Sequence, residues 1–247
     1  MAQDTTKFET VMYELKPRPA VVKSIEDLSP KYRRIVLTGE GLSDFNSVSP
    51  SDHIKLMIEV DGEAIRRDYT PRTWANGDLT LEFALHADGP LTSWARNAEP
   101  GSTVTVLGPR GSVIVKPVFD AVVLVGDDTF LPTAGRALSE FSDQLPMTVI
   151  VEVDSAAEEI GLPEGENITV IWAHRGDRLP GEALVEALAG VELPEGEVLY
   201  YAGGEATAMR DVRRALLARG VDRANLKLSG HWKRGESDFD HHAEIEE

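Results

Sequence analysis

The hydrophobic period of the chain changes near residue 117, and that change constrains the fold more than any other feature. Before it, apolar residues recur at every second position. Ile54, Leu56, Ile58 and Val60 alternate with Lys55, Met57 and Glu59, then Leu79, Leu81, Phe83 and Leu85 repeat the pattern, and Val104 and Val106 follow. Such alternation, broken by clusters of Gly, Pro, Asn and Asp, predicts short antiparallel strands in a barrel or sandwich. From about Asp120 the rhythm differs. Continuous apolar runs at 121–126, 147–153, 168–173 and 198–204 read as strands, and 132–141, 181–190 and 206–220 read as helices. Met209, Val212, Leu216 and Leu217 form the apolar stripe of the last helix, with Arg210, Arg213 and Arg214 off it. Strands alternating with helices imply βαβ units and a parallel sheet. The expected fold class is β plus α/β: an antiparallel β-barrel over residues 1–117, then an open parallel α/β nucleotide-binding sheet over 118–247 with a polar, acidic tail after Gly235.

Composition narrows what two such domains can do. There are 25 basic and 42 acidic residues, a formal net charge of −17. Nucleic-acid binders and proteins held on anionic membranes need a broad basic face, so the charge argues against both classes. A small basic pocket survives, because screening over about 8 Å lets a few converging cations set the local potential. Cysteine is absent, which removes disulfides, thiol nucleophiles and Cys-ligated iron–sulfur clusters together. Any electron transfer then needs a cofactor held by other means. Residues 1–10 lack the basic start and apolar stretch of a signal peptide. No apolar run approaches the roughly 18 residues that span a bilayer. A cytoplasmic protein, monomeric by default and without stable membrane association, is expected.

The α/β half contains no G-x-G-x-x-G, no G-x-x-x-x-G-K-[ST] and no G-x-S-x-G. This argues against the usual dinucleotide fingerprint, a P-loop and a hydrolase elbow. Ligands of open α/β sheets still lie beyond the carboxyl ends of the strands. Here those ends are 126–129, 172–175 and 202–205, all rich in small, polar or aromatic residues. In the barrel half, Arg67, Asp68, Tyr69, Thr70, Pro71 and Arg72 form one motif. Arg67 and Tyr69 share a strand face, and Thr70 points to the other. A flavin dinucleotide needs a cation for its pyrophosphate, an aromatic face and a hydrogen-bonding group near the ring, which Arg, Tyr and Thr can supply. A strand with a core aromatic and solvated arginines would read the same way. A second motif runs from His86 through Gly89, Pro90, Leu91, Thr92, Ser93 and Trp94 to Ala95. Gly and Pro make a turn, and Thr92 and Ser93 can start a short helix whose free N–H groups face an anion. The third, Gly108 to Ser112, is a tight turn ending the barrel.

In this order, and across this switch of fold, the motifs resemble the siderophore-interacting proteins, flavin-dependent ferric-siderophore reductases of the ferredoxin-reductase superfamily. The resemblance spans about Arg18 to Gly235. It is carried by His53-Ile54-Lys55-Leu56, Arg67-x-Tyr69-Thr70, His86 with Gly89-Pro90 and Trp94-Ala95, and Gly108-Pro109-Arg110-Gly111-Ser112. It continues in Gly126-Asp127 with Thr129, Leu131 and Pro132, in Ala202 with Gly204-Glu205-Ala206, and in Gly230, Trp232 and Gly235.

The resemblance implies roles. Arg67, Tyr69 and Thr70 contact FAD, with Tyr69 and Thr70 nearest the reacting ring. His86, Gly89, Pro90, Thr92, Ser93 and Trp94 hold its pyrophosphate and adenosine. Asp127 and Thr129 close on flavin and nicotinamide, and Gly204 and Glu205 face the nucleotide, NADPH or NADH. Lys55, Arg110 and Lys233 form a basic triad for an anionic ferric siderophore. Ferredoxin is an alternative donor, and a redox protein or quinone an alternative acceptor; a non-catalytic siderophore-binding flavoprotein is also compatible. Arg175, Arg178 and Arg210 are the residues that could read a 2′-phosphate. The chain departs from the family pattern at Asp128, where Glu is usual, at Phe130, where a small residue is common, and at His231, where Tyr is usual. His241 and His242 beside glutamates read as a solvated tail.

Overall fold

The computed structural model describes residues 7–85, 89–236 and 239. Among the described residues the chain divides into a unit up to Lys116 and a unit from Pro117 onward.

The first unit contains β1 (Phe8–Met12), β2 (Pro17–Ser29), β3 (Tyr32–Thr38), β4 (Ile54–Val60), β5 (Glu63–Tyr69), β6 (Thr73–Ala75), β7 (Asp78–Ala84), α1 (Pro90–Asn97), β8 (Thr103–Leu107) and β9 (Gly111–Val115). Two hairpins turn on dipeptides whose residues both adopt positive φ, Asp61-Gly62 (52° and 82°) and Asn76-Gly77 (53° and 80°). This geometry matches the right-handed twist of the flanking strands. Seven strands pair in the order β5-β4-β8-β2-β3-β7-β6, all antiparallel. In a flat sheet β5 and β7 would lie about 24 Å apart at normal strand spacing. Yet the rings of Tyr69 on β5 and Phe83 on β7 have centroids 4.6 Å apart. The sheet is therefore rolled on itself, as expected of a barrel.

The alternating residues fill the roll. Ile35, Leu37, Ile54, Leu56, Leu79, Leu81, Phe83 and Val106 are buried, and Leu91 and Ala95 insert from α1. The free carbonyls at the end of α1 are met by Arg33, whose guanidinium donates to Ala95 O (3.0 Å) and Arg96 O (2.8 Å). Asp27 holds that guanidinium with both oxygens, so the helix end is satisfied by a side chain from β3. The alternation did not reveal β1, which pairs with β9 as a separate two-stranded ladder.

The second unit contains β10 (Ala121–Asp127), α2 (Leu131–Phe141), β11 (Met147–Val153), β12 (Ile168–His174), α3 (Glu182–Gly190), β13 (Val198–Glu205), α4 (Ala206–Ala218) and β14 (Leu226–Trp232). Its five strands are parallel, in the order β12-β11-β10-β13-β14. Every residue of β10 and β13 is buried, as strands covered on both faces require. The chain leaves β10 toward β11 and β12, then crosses to β13 and β14. The topological switch point thus falls between β10 and β13. Among the described residues, no helix is long and apolar enough to cross a membrane.

Candidate functional site

In the barrel unit the flavin-type motif lies on β5 and just beyond it. Tyr69 opposes Ile54, Arg67 opposes Leu56, and Asp68 opposes Lys55 across the β4–β5 ladder. Opposed residues share a face, so Arg67 and Tyr69 face the same side as the core residues Ile54 and Leu56. Lys55 and Asp68 face outward. Tyr69 is half-buried against Phe83, and this burial pushes its phenol above the ordinary tyrosine range. Thr70 follows at the strand end, also half-buried.

The anion-type turn begins α1 at Pro90, two residues earlier than the sequence suggests, with Gly89 as N-cap. Thr92 and Ser93 therefore sit inside the first turn. Ser93 N–H donates back to Gly89 O (2.8 Å). Among the described residues no side chain caps this N-terminus and no acidic residue lies in its first turn, which suits an anion at its positive pole. Space is open here, because a Cβ on Gly89 would meet nothing within 4 Å. Trp94 seats the helix against Phe83, ring centroids 6.1 Å apart. His86 lies outside the described residues.

Lys55 and Arg110 come to one end of the barrel. Lys55 pairs with Leu107 of β8, and Gly108, against Ile54, starts the turn that carries the exposed Arg110. The Lys55 ammonium is held by both oxygens of Asp68, at 2.7 and 3.0 Å. Lys233 belongs to the second unit, where it pairs with Glu236.

At the carboxyl edge of the parallel sheet, Asp127 ties three strands together. Its Oδ1 accepts from Thr129 N–H (3.0 Å) and Thr129 Oγ1 (2.5 Å). Its Oδ2 accepts from Glu205 N–H (2.9 Å) across the switch point and from Trp232 Nε1 (2.9 Å) on β14. Gly204 takes φ 151° with Asp127 Oδ2 only 2.6 Å from where a Cβ would lie, so glycine is required there. Glu205 is buried as the N-cap of α4, accepting from Ala208 N–H (2.8 Å) and Arg234 N–H (3.2 Å). Glu152, at the end of β11, accepts from Gly181 N–H and Leu184 N–H at the start of α3. Two helix starts at this edge are thus already neutralised by internal carboxylates. Of the three arginines proposed for a 2′-phosphate, Arg175 is paired to Asp154 and Arg178 to Glu186. Arg210 lies on α4 with its Nε buried and unpartnered. His241 and His242 lie outside the described residues. Charge is divided unevenly, with 14 basic and 16 acidic residues in 1–116 against 11 and 26 in 117–247. An anionic ligand meets less long-range repulsion at the near-neutral barrel unit than at the acidic second unit.

The profile of the siderophore-interacting FAD-binding domain matches residues 21–66 and 58–113, and that of the siderophore-interacting protein matches 119–235. The chain belongs to the siderophore-interacting protein family. Among solved structures, a siderophore utilization protein from T. fusca is 35% identical with a TM-score of 0.87, covering 96% of this chain and 100% of that one. The siderophore-interacting protein SipS from Aeromonas hydrophila is 27% identical with a TM-score of 0.77, covering 89% and 92%. A curated relative, the NADPH-dependent ferric-chelate reductase of Escherichia coli K12, is 26% identical over 91% of this chain and 96% of its own length. A ferredoxin NADP+ reductase from Neisseria gonorrhoeae shares the fold at 13% identity and a TM-score of 0.67.

For this siderophore-interacting protein the barrel donors fit FAD. A cation on β5, a half-buried aromatic on the same strand face and a helix whose first turn carries no acid are the chemistry that a dinucleotide pyrophosphate and an isoalloxazine need. Sequence reasoning missed two buried carboxylates near these sites. Asp52 accepts from Ser47 Oγ, Ser112 Oγ and the Val48 and Ser49 amides, all within 3.2 Å, and so fixes the loop entering β4 to β9. Glu152 was the other. Burial pushes its carboxyl above the ordinary range, outweighing the helix α3 amides. The folded state then holds the Glu152 proton to higher pH than the unfolded chain. Stability is expected to fall as pH rises from the ordinary glutamate value toward the raised one. In Glu152→Gln, urea midpoints measured across this window should lose that part of the slope.

Proposed function

We propose that the protein is an FAD-dependent reductase that takes electrons from NAD(P)H and delivers them to Fe(III) in a ferric siderophore in the cytoplasm. The observation that carries this reading is that β5, with Arg67 and Tyr69 on its core face and Thr70 just beyond it, packs with α1 in the same rolled unit that carries Lys55 and Arg110. The relatives named NADPH-dependent ferric-chelate reductase and ferric vibriobactin reductase support the same chemistry. Residues 1–117 would hold FAD and residues 118–247 the donor nucleotide. Bound FAD supplies a carrier that accepts two electrons and gives them up singly, which no side chain can do. Arg67 and the α1 amides bind its pyrophosphate, Tyr69 packs on its ring, and the Thr70 hydroxyl orients the reacting edge. The 127–129 turn and the 204–205 segment frame the nicotinamide. Lys55 and Arg110 bind the anionic chelate; no acid or base is needed to reduce the iron itself.

The deciding experiment is an absorbance spectrum of the purified protein, before and after anaerobic NADPH, followed by a ferric siderophore. A flavin spectrum that bleaches with NADPH and returns as the chelate is reduced is expected. A colourless protein that also takes up no added FAD would end the proposal. The basic residues give a sharper check. Lys55→Ala and Arg110→Ala are each expected to lower kcat/KM for the chelate about tenfold, while the bleaching rate with NADPH holds. Asp68→Asn releases Lys55 from its partner and should raise chelate affinity about threefold, since the pair is partly exposed. Stopped-flow measurement of both half-reactions checks this, and equal losses in both would remove Lys55 and Arg110 from chelate binding.

A further inference from the structure

One imidazole joins the ends of β10 and β14. His231 places Nδ1 3.0 Å from Thr129 Oγ1 and Nε2 3.1 Å from Ser229 Oγ. Proton counting along this chain of contacts leaves one arrangement. Asp127 Oδ1 lies 2.5 Å from Thr129 Oγ1, and a carboxylate oxygen can only accept. The single hydroxyl proton of Thr129 is therefore committed to Asp127. Thr129 Oγ1 has only lone pairs left for His231, so Nδ1 must donate. In the neutral ring Nε2 then accepts from the Ser229 hydroxyl.

We infer that His231 is a positioning residue for the donor nucleotide, held as the Nδ1–H tautomer and clamping the Asp127–Phe130 turn against β14. Packing supports the clamp from a second direction. The Phe130 ring lies 6.3 Å from the His231 ring, centroid to centroid, and Phe130 is 2% exposed. A Cβ on Gly203 would stand 2.6 Å from Phe130 Cδ2 and 2.8 Å from His231 Cε1 and Nε2. The bare backbone of β13 is thus the floor on which both rings rest. The turn is pinned at Thr129 by a hydrogen bond and at Phe130 by ring contact, with the same histidine serving both. The two departures from the family pattern at 130 and 231 are one packing unit. This inference rests on reading the turn as part of the nucleotide cleft, and extends that reading to a residue on another strand.

The test begins with the tautomer. Nitrogen-15-labelled holoprotein, with the pH raised until the ring signals stop shifting, gives two-bond ring correlations that separate the two neutral tautomers. A proton on Nδ1 of His231 is expected, and one on Nε2 overturns the inference. The second measurement is affinity for NADP+, titrated into the oxidised holoprotein by calorimetry. Asparagine places an amide N–H where Nδ1 sits, whereas glutamine reaches only toward Nε2. His231→Asn should therefore keep the Kd within about twofold, and His231→Gln and His231→Ala should weaken it about tenfold. Thr129→Val should give the same loss, with nothing further lost when His231→Ala is added. Equal loss in Asn and Ala, or no change in any variant, overturns the positioning role. Wild-type holoprotein that binds no NADP+ would instead bring down the nucleotide reading itself, and the role with it.

Discussion

Gly126→Ala is expected to destabilise the protein by about 3 kcal/mol, although it adds one methyl group. The new Cβ would lie 2.4 Å from Gly203 O and 2.5 Å from Phe130 Cβ. Gly126 and Gly203 are paired in the β10–β13 ladder, so the carbonyl cannot retreat without breaking the parallel sheet at its centre. Gly203→Ala meets a softer obstacle. The nearest atoms to its Cβ belong to the Phe130 and His231 side chains rather than to backbone, and a loss of about 1.5 kcal/mol is expected. The difference is tested by adding Phe130→Leu to each variant and following urea unfolding. Gly203→Ala should be largely restored and Gly126→Ala should not. Rescue of both would mean that the side chain, not the backbone, sets the limit.

The second large effect is at Asp127, where Asp127→Asn is expected to cost as much as Asp127→Ala, about 3 kcal/mol in each case. Asparagine is usually the milder change. Here each carboxylate oxygen accepts two donors, Thr129 N–H and O–H on one side, Glu205 N–H and Trp232 Nε1 on the other. An amide NH2 only donates. Turned toward Glu205 and Trp232, it leaves both N–H groups without an acceptor. Turned toward Thr129, it leaves the Thr129 N–H without one even when the hydroxyl turns to accept. Chemical denaturation followed by tryptophan fluorescence measures the loss. Wild-type stability in the Asn variant would show that these four contacts do not hold the edge.

The parts of the molecule legible in the sequence are those set by local period. Alternation marked β4 and β7 because one face of each meets the rolled core, and continuous apolar runs marked β10 and β13 because both faces are covered. The Met209–Leu216 stripe marked α4 for the same reason. The motif residues Arg67, Tyr69 and Thr70 and the start of α1 also come to one rolled sheet. What stayed hidden depends on partners distant in the chain. Glu152 looks like any strand-end glutamate until α3, 29 residues on, brings its amides to it. His231 reads as an isolated histidine because Thr129 lies 102 residues away. The same holds for Lys55, whose charge is matched by Asp68 only through the register of a hairpin.

The pairing of β1 with β9 bears on how the chain is made. Phe8 aligns with Val115, so β1 must wait for the last strand of its unit. At about 5–20 residues per second the wait is on the order of ten seconds. Through that interval Phe8, 2% exposed once folded, has no seat, and the nascent chain offers an unpaired strand edge. The parallel sheet waits too: β11 soon covers one side of β10, but Ala121 of β10 aligns with Val198 of β13, 77 residues further on. In each unit a strand edge thus stays open until a partner 77 or more residues further on arrives, and those intervals set when during synthesis the chain most needs protection from its neighbours.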